Sequence, residues 1–289
     1  MIAKPGPFFS IIIPALNEEK LLPLLLSDLS KQTTQDFEVI VIDGHSDDKT
    51  IAKTKVFAKK LPALSILSSK IRNVSVQRNL GAAKAKGQYL IFNDADNRLP
   101  KHFLEGIHYN LSAKPVDMFT CWCSPDSEEG YDKTVAIYLN LLVEMGHLIN
   151  LPVAFGAMIG CRRSVYKITG GFNPKIGFAE DTDFVRQGFK KNLSFTVYHE
   201  PRHVYSLRRF RHTGKLKLLQ QYAVLNLKYY TNQQVDQTKE YPMGGSQANQ
   251  IAQTPDFLET ILESLKQKKP NTKVIDRIRA LLSLEENQP

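Results

Sequence analysis

Two aspartates one residue apart, Asp94-Ala95-Asp96, follow directly on the apolar run Gln88-Tyr-Leu-Ile-Phe-Asn93. Carboxylates at that spacing can be aimed at one hard cation, and magnesium takes a few carboxylates together with phosphate oxygens. A second acidic group, Glu180-Asp181-Thr182-Asp183, opens a helical stretch. There the helix dipole favours negative charge, and a carboxylate within hydrogen-bond reach of a hydroxyl can take its proton. Taken singly, both groups have plainer explanations, because acidic turns follow many strands and acidic residues start many helices. Their weight depends on what brings them together.

The elements that must do so are legible in the first hundred residues. Phe9 to Pro14 and Phe37 to Asp43 are apolar and β-branched without alternation, the pattern of strands buried on both faces. Leu64 to Leu67 and Gln88 to Asn93 add two more. Helices are expected over Leu21–Leu29, with Asn17 as a possible start, and over Lys49–Lys60 and Val74–Lys86, with Gly87 as C-cap. Strand and helix alternate, which predicts parallel β-α-β units with right-handed crossovers. Ligands of such sheets gather at the carboxyl ends of the strands, where Asp43 and Asp94 stand. Beyond residue 100 the rhythm loosens. Helices are expected over 101–111, 135–149, 182–191 and 215–230, and strands over 116–123, 154–161 and 193–198. Residues 232–254, rich in Gln, Asn, Thr and Gly, suit a linker or mobile loop. Two amphipathic helices follow, the first introduced by Thr254-Pro255.

The composition fits a core of this size: 289 residues, 42% of them hydrophobic and 23% charged. Three cysteines, Cys121, Cys123 and Cys161, form neither a disulfide framework nor a zinc-spaced set. They are expected in the core of a protein from a reducing, cytoplasmic compartment. No secretory signal is expected, and no run of ~20 apolar residues suggests a membrane span. The net charge of +9 is localised. Residues 186–230 hold ten basic side chains against Glu200 alone, whereas 17 basic and 17 acidic groups cancel over residues 1–150. Such a stretch implies a phosphate-bearing partner or an anionic surface.

Five segments occur in order: Ile13-Pro-Ala-Leu-Asn-Glu18, Val41-Ile-Asp-Gly-His-Ser-Asp-Asp-Lys-Thr50, Gln77-Arg-Asn-Leu-Gly-Ala-Ala83, Asp94-Ala-Asp96 and Glu180-Asp-Thr-Asp183. This ordered set resembles the family-2 glycosyltransferases of the GT-A fold, inverting and of the D-x-D type. The resemblance covers roughly residues 8 to 230, and His45 stands where the family more often has a small or polar residue. It implies an α/β fold with a Rossmann-like, mixed, mostly parallel sheet flanked by helices. Residues 1–230 would form the glycosyltransferase domain, with a nucleotide-binding half over 1–112 and an acceptor half over 113–230. A linker over 231–254 and a C-terminal helical hairpin over 255–289 would follow.

The resemblance also implies roles. Pro14, Ala15 and Asn17 would border the nucleotide, with Glu18 near the ribose or base. Asp43 would accept a hydrogen bond from the base, and Arg78 would lie near the base or diphosphate. Asp94 would reach the ribose side and Asp96 would ligate Mg²⁺ or Mn²⁺, with Ala95 between them. Asp181 would be the general base, with Glu180 beside it. Gly156, Ala157 and Gly171 would floor the transferred sugar and acceptor. Arg208 and Arg209 match an S-x-R-R segment of one subset, whose arginine forks would close over the diphosphate. His203 is a candidate to complete the metal shell. The expected partners are a UDP- or GDP-type sugar and an acceptor glycan, glycolipid or polyprenyl phosphate. An anionic leaflet is a further candidate, giving a cytoplasmic protein peripheral on the inner face of the membrane. Two other classes stay open. A sugar nucleotidyltransferase would want a glycine-rich basic loop where Asn17-Glu18-Glu19 stands. A basic module binding membrane or nucleic acid would not need the carboxylates, and nucleic acid is the less favoured partner.

Overall fold

The computed structural model describes residues 6–148, 153–154 and 158–213. Gly156, Ala157, the basic stretch 215–230, the linker and the terminal hairpin lie outside the described residues. A seven-stranded sheet organises the rest, in the order β3-β2-β1-β4-β6-β5-β7. The first four strands are β1 (Phe9–Ala15), β2 (Phe37–Asp43), β3 (Leu64–Ser68) and β4 (Tyr89–Asn93), and they pair in parallel. β5 (Met118–Pro125), β6 (Met158–Arg162) and β7 (Phe195–Tyr205) complete it. β6 runs antiparallel to both β4 and β5, while β5 and β7 pair in parallel. The sheet is therefore mixed and mostly parallel, as expected, with β6 alone reversed among the described strands.

The uninterrupted apolar strands follow from cover on both faces. Ile11 and Ile13 of β1 pack with α1 (Leu22–Ser30) and α4 (Phe103–Ala113). Ile12, one residue out of phase, packs with α3 (Val74–Lys84), α6 (Arg163–Thr169) and α7 (Glu180–Lys190). α2 (Thr50–Lys55) is shorter than expected. α5 (Gly130–Leu148) begins five residues before its expected start and covers β5, and α8 (Arg208–Thr213) follows β7.

Three expectations are corrected. Asn17 starts no helix; it sits in a loop with φ 56°. Gly87 is not a C-cap. α3 ends at Lys84 because Glu38 accepts Lys86 N–H at 2.6 Å and Ser10 Oγ accepts Gly87 N–H at 2.8 Å, drawing the chain toward β1. A Cβ on Gly87 would lie 2.6 Å from Ser10 N, so close approach is what requires glycine there. β7 runs to Tyr205 rather than ending at Tyr198. Its middle, His199-Glu-Pro-Arg-His203, is polar and faces a register shift between Cys121 and Cys123. Proline is tolerated at an edge strand or irregularity, and β7 is the edge.

Candidate active site

The carboxyl ends of β1 and β2 are joined by their loops. Asn17 N–H donates to Ser46 Oγ at 2.9 Å and Asn17 Oδ1 accepts Asp47 N–H at 2.8 Å. Glu18 N–H donates to Thr50 Oγ1 at 2.8 Å. Asp43, buried at the end of β2, accepts Ser46 N–H on its two oxygens at 3.2 and 3.3 Å. A carboxylate has lone pairs beyond those. Pro14 is buried in register with Ile42. Ala15 offers its carbonyl to Gly44 N–H at 2.8 Å.

α3 lies across these ends and its side chains tie three separate pieces. Gln77 Nε2 donates to Ala15 O at 3.0 Å and to Ile42 O at 2.8 Å, bracing β1 against β2. Arg78 donates to Asp94 Oδ1 at 3.0 Å and to Glu180 Oε1 at 2.9 Å, with its guanidinium 5.1 Å from the Phe172 ring centroid. Asn79 accepts Phe172 N–H at 3.0 Å and Tyr166 Oη–H at 2.7 Å, and donates to Phe172 O at 2.7 Å. Arg78 is only 2% exposed. It therefore sits enclosed among the acidic residues rather than on an open rim. Burial disfavours its charge, but Asp94, Glu180 and Asp181 outweigh that and hold it protonated.

Asp94 and Asp96 leave β4 with their side chains 35% and 19% exposed, while Ala95 between them packs in the core. Burial pushes both carboxyls up; Arg78 offsets this at Asp94, and Arg208 does so at Asp96. Arg208 Nε lies 3.1 Å from Asp96 Oδ2, and its other two nitrogens fork onto Glu18 at 2.6 and 3.1 Å. Glu18 is buried, and that burial raises its carboxyl against the pull of Arg208. Arg209 also acts electrostatically on Asp96. The arginine pair thus lies at the D-x-D tripeptide. α8 is anchored from its other side. Arg211 bonds Asp126 at 2.6 and 2.8 Å and Asp132 at 2.8 Å, and the buried Leu207 packs with Val135 and Leu139.

Asp181 stands in the first turn of α7, half-buried, with Thr182 N–H donating to its Oδ1 at 2.6 Å. Glu180 beside it is engaged by Arg78. Gly171 has φ 80°, and a Cβ there would lie 2.5 Å from Tyr166 Oη, so the turn before α7 is shaped around glycine. His203 is elsewhere. It is buried among Thr120, Cys123, Leu139 and Val143, beneath α5. Burial pulls its pKa down to about 4, and among the described residues no acidic group enters its electrostatics. That setting does not place it with the two aspartates.

Gln77, Asn79, Tyr166, Asp126 and Arg211 were not among the expected site residues. The first two lie inside the segment Gln77 to Ala83, whose pattern marks their position but not their partners. Asp126 and Arg211 are 85 residues apart, and only the fold pairs them.

A family model described as Glycosyl transferase family 2 matches residues 10–169, more than half of the chain. This chain belongs to glycosyltransferase family 2. A PGL/p-HBAD biosynthesis glycosyltransferase of Mycobacterium bovis is 39% identical over 95 residues, which is 32% of this chain and 37% of that protein. The chain thus spans little more than a third of that relative. An uncharacterized glycosyltransferase of Haemophilus influenzae is 26% identical over 192 residues, 65% of this chain and 64% of its own length. Two solved structures share the fold. The mannosyltransferase PcManGT from Pyrobaculum calidifontis, in complex with GDP-Man and Mn²⁺, superposes with a TM-score of 0.62 at 18% identity, covering 96% of this chain and 81% of that one. TarS 1–349 of S. aureus, in complex with UDP-GlcNAc, gives 0.58 at 19% identity, with 90% and 76% covered.

The family implies a divalent metal. Among the described residues no three His, Cys, Asp or Glu side chains converge on one point. The donors present still fit Mg²⁺ or Mn²⁺, because such ions are commonly held by one or two carboxylates plus substrate phosphates. Asp96, desolvated and already facing a cation, is the group that would hold it, with Asp94 beside it.

Proposed function

We propose that this chain transfers a sugar from a nucleoside-diphosphate sugar to an acceptor hydroxyl or phosphate, with inversion, in glycan, cell-envelope or glycolipid synthesis. The observation that carries the reading is the meeting of Asp96 with Arg208, two residues along the chain from Asp94, which Arg78 joins to α7. One face then offers carboxylates for a metal and arginine forks for phosphate oxygens. Asp181 lies on the adjoining helix start.

The nucleotide would lie along the ends of β1 and β2, bordered by Pro14, Ala15, Asn17 and Glu18, with Asp43 accepting from the base. A bound Mg²⁺ or Mn²⁺ would neutralise charge on the departing diphosphate. Arg208 and Arg209 would add charge-assisted hydrogen bonds to it. Asp181 would take the proton of an acceptor hydroxyl as that oxygen bonds to the anomeric carbon. The bond from that carbon to the diphosphate breaks in the same step, and the nucleoside diphosphate leaves. A UDP- or GDP-type donor is favoured, in line with the nucleotide sugars in the two superposed structures. Gly171, with Gly156 and Ala157 outside the described residues, would border the sugar.

A lipid-borne acceptor is supported by the outer face of α5, where Ile137, Tyr138, Leu141 and Met145 are all exposed. No described helix is long and apolar enough to cross a membrane, so contact would be along the surface. The test is incubation with Mn²⁺ and a panel of nucleotide sugars. Asp96→Ala should abolish donor binding. Asp181→Ala should keep binding and lose turnover by at least about a hundredfold, the usual scale of general-base catalysis. Turnover that persists in Asp181→Ala removes the role given to Asp181, and failure to bind any donor removes the reading.

A further inference from the structure

Arg208 holds two carboxylates that come from different loops. Its Nε faces Asp96 at 3.1 Å while its terminal nitrogens grip both oxygens of Glu18. Glu18 is buried and the Asp96 side chain is only 19% exposed, and the charge of Asp96 raises the energy of Glu18 as an anion. Two such groups need a cation between them. Building on the nucleotide-sugar reading above, we propose that Glu18 and Asp96 form one cation seat. The Arg208 guanidinium fills it when donor is absent. A divalent ion displaces Arg208 from it, and the freed arginine moves to the donor diphosphate.

The seat cannot hold both cations. A dication on Asp96 would stand within a few ångströms of the guanidinium, where like charges repel strongly in a partly desolvated site. Arg208 can leave without undocking α8. Leu207 stays buried against Val135 and Leu139, and Arg211 keeps its grip on Asp126 and Asp132. Glu18 is held at its backbone, whose N–H donates to Thr50 Oγ1 at 2.8 Å. One side chain therefore moves between two fixed anchors. Arg209 assists its departure, since it is a like charge acting on Arg208. Exchange of this kind keeps the acidic pair partly neutralised before the donor arrives and delivers an arginine to the diphosphate only once metal is in place.

Titrating the whole protein with Mn²⁺ alone, followed by the free-ion EPR signal, tests the exchange. Arg208→Gln should bind Mn²⁺ on the order of tenfold more tightly than wild type, because the competing cation is gone from a half-buried site. Arg208→Lys, which keeps the charge, should stay within about threefold of wild type, the range of a modest ion-pair change. Equal or weaker Mn²⁺ binding by a folded Arg208→Gln overturns the proposal. A second measurement needs no charge-removing variant. The Arg208 Nε–H resonance of the wild type, assigned by its loss in Arg208→Lys, should shift on addition of Mg²⁺ alone. An unmoved resonance at saturating Mg²⁺ also overturns it. A protein that turns over nucleotide sugar yet shows neither effect keeps the activity proposed above and loses only the exchange.

Discussion

Replacing Arg78 by methionine removes a buried cation while keeping much of its length. Two carboxylates then lose their partner, and they differ in what they can do next. Asp94 has a side chain 35% exposed and can turn to water. Glu180 is 9% exposed and cannot. The cost should therefore come mainly from Glu180, and removing one member of a buried pair costs about 3–5 kcal/mol. A share of this belongs to packing, since the guanidinium also lies against the Phe172 ring. Urea unfolding at neutral pH measures the loss, with the slope checked for constancy. The decisive comparison is the double variant Arg78→Met with Glu180→Met, which removes the stranded charge. It should recover about 2 kcal/mol of the single variant's loss, a coupling within the range of contacting residues. If Arg78→Met costs under about 1 kcal/mol, or the double variant recovers nothing, the guanidinium is not the strut described here.

Three other outcomes are expected. His203 has its pKa lowered by burial to about 4, against 6.5 when free, so the unfolded chain binds its proton first as pH falls. Stability should then decline by on the order of 3 kcal/mol between pH 6.5 and 4, and His203→Met should flatten that part of an unfolding-versus-pH curve. Gly171→Ala introduces a Cβ at φ 80° facing Tyr166 Oη, so thermal unfolding should show a loss of about 1–3 kcal/mol, of which Tyr166→Phe alone should restore little. Asn79→Ala frees the turn at Phe172 and should raise amide exchange at residues 171–173 while costing about 1–3 kcal/mol, the usual penalty of unsatisfied buried partners.

The parallel half of the fold was legible because its signals are local. Runs such as Phe9–Pro14 and Phe37–Asp43 are apolar at every position, and the double cover by α1 with α4 and by α3 with α7 explains why. The second half was less so. Beyond Tyr198 the residues of β7 are polar and carry no strand signal, and only the neighbouring β5 shows that they belong to a strand. Asp43, Asp94, Asp96 and Asp181 could be picked out by type and order. The partner of each could not. Arg78 to Glu180 spans 102 residues and Arg208 to Glu18 spans 190, and no periodicity reports on contacts of that range.

Glu18, Asp94, Asp96, Glu180 and Asp181 meet Arg78, Arg208 and Arg209, so among these groups five carboxylates stand against three cations. A diphosphate is itself an anion and meets this excess on entry. Arg78 cannot help it, being buried and already shared between Asp94 and Glu180. Arg208 can help only by abandoning Glu18 and Asp96, which would leave both desolvated and unpaired. The donor is therefore expected to bind weakly without a divalent ion and to gain affinity when one is present, with each ligand raising the affinity of the other by the same factor. Calorimetry of UDP and GDP with and without Mg²⁺ measures that factor from both sides. Binding of either nucleotide that is indifferent to the metal would mean that the site compensates the diphosphate by some route other than Asp96, and the role assigned to that residue would fall with it.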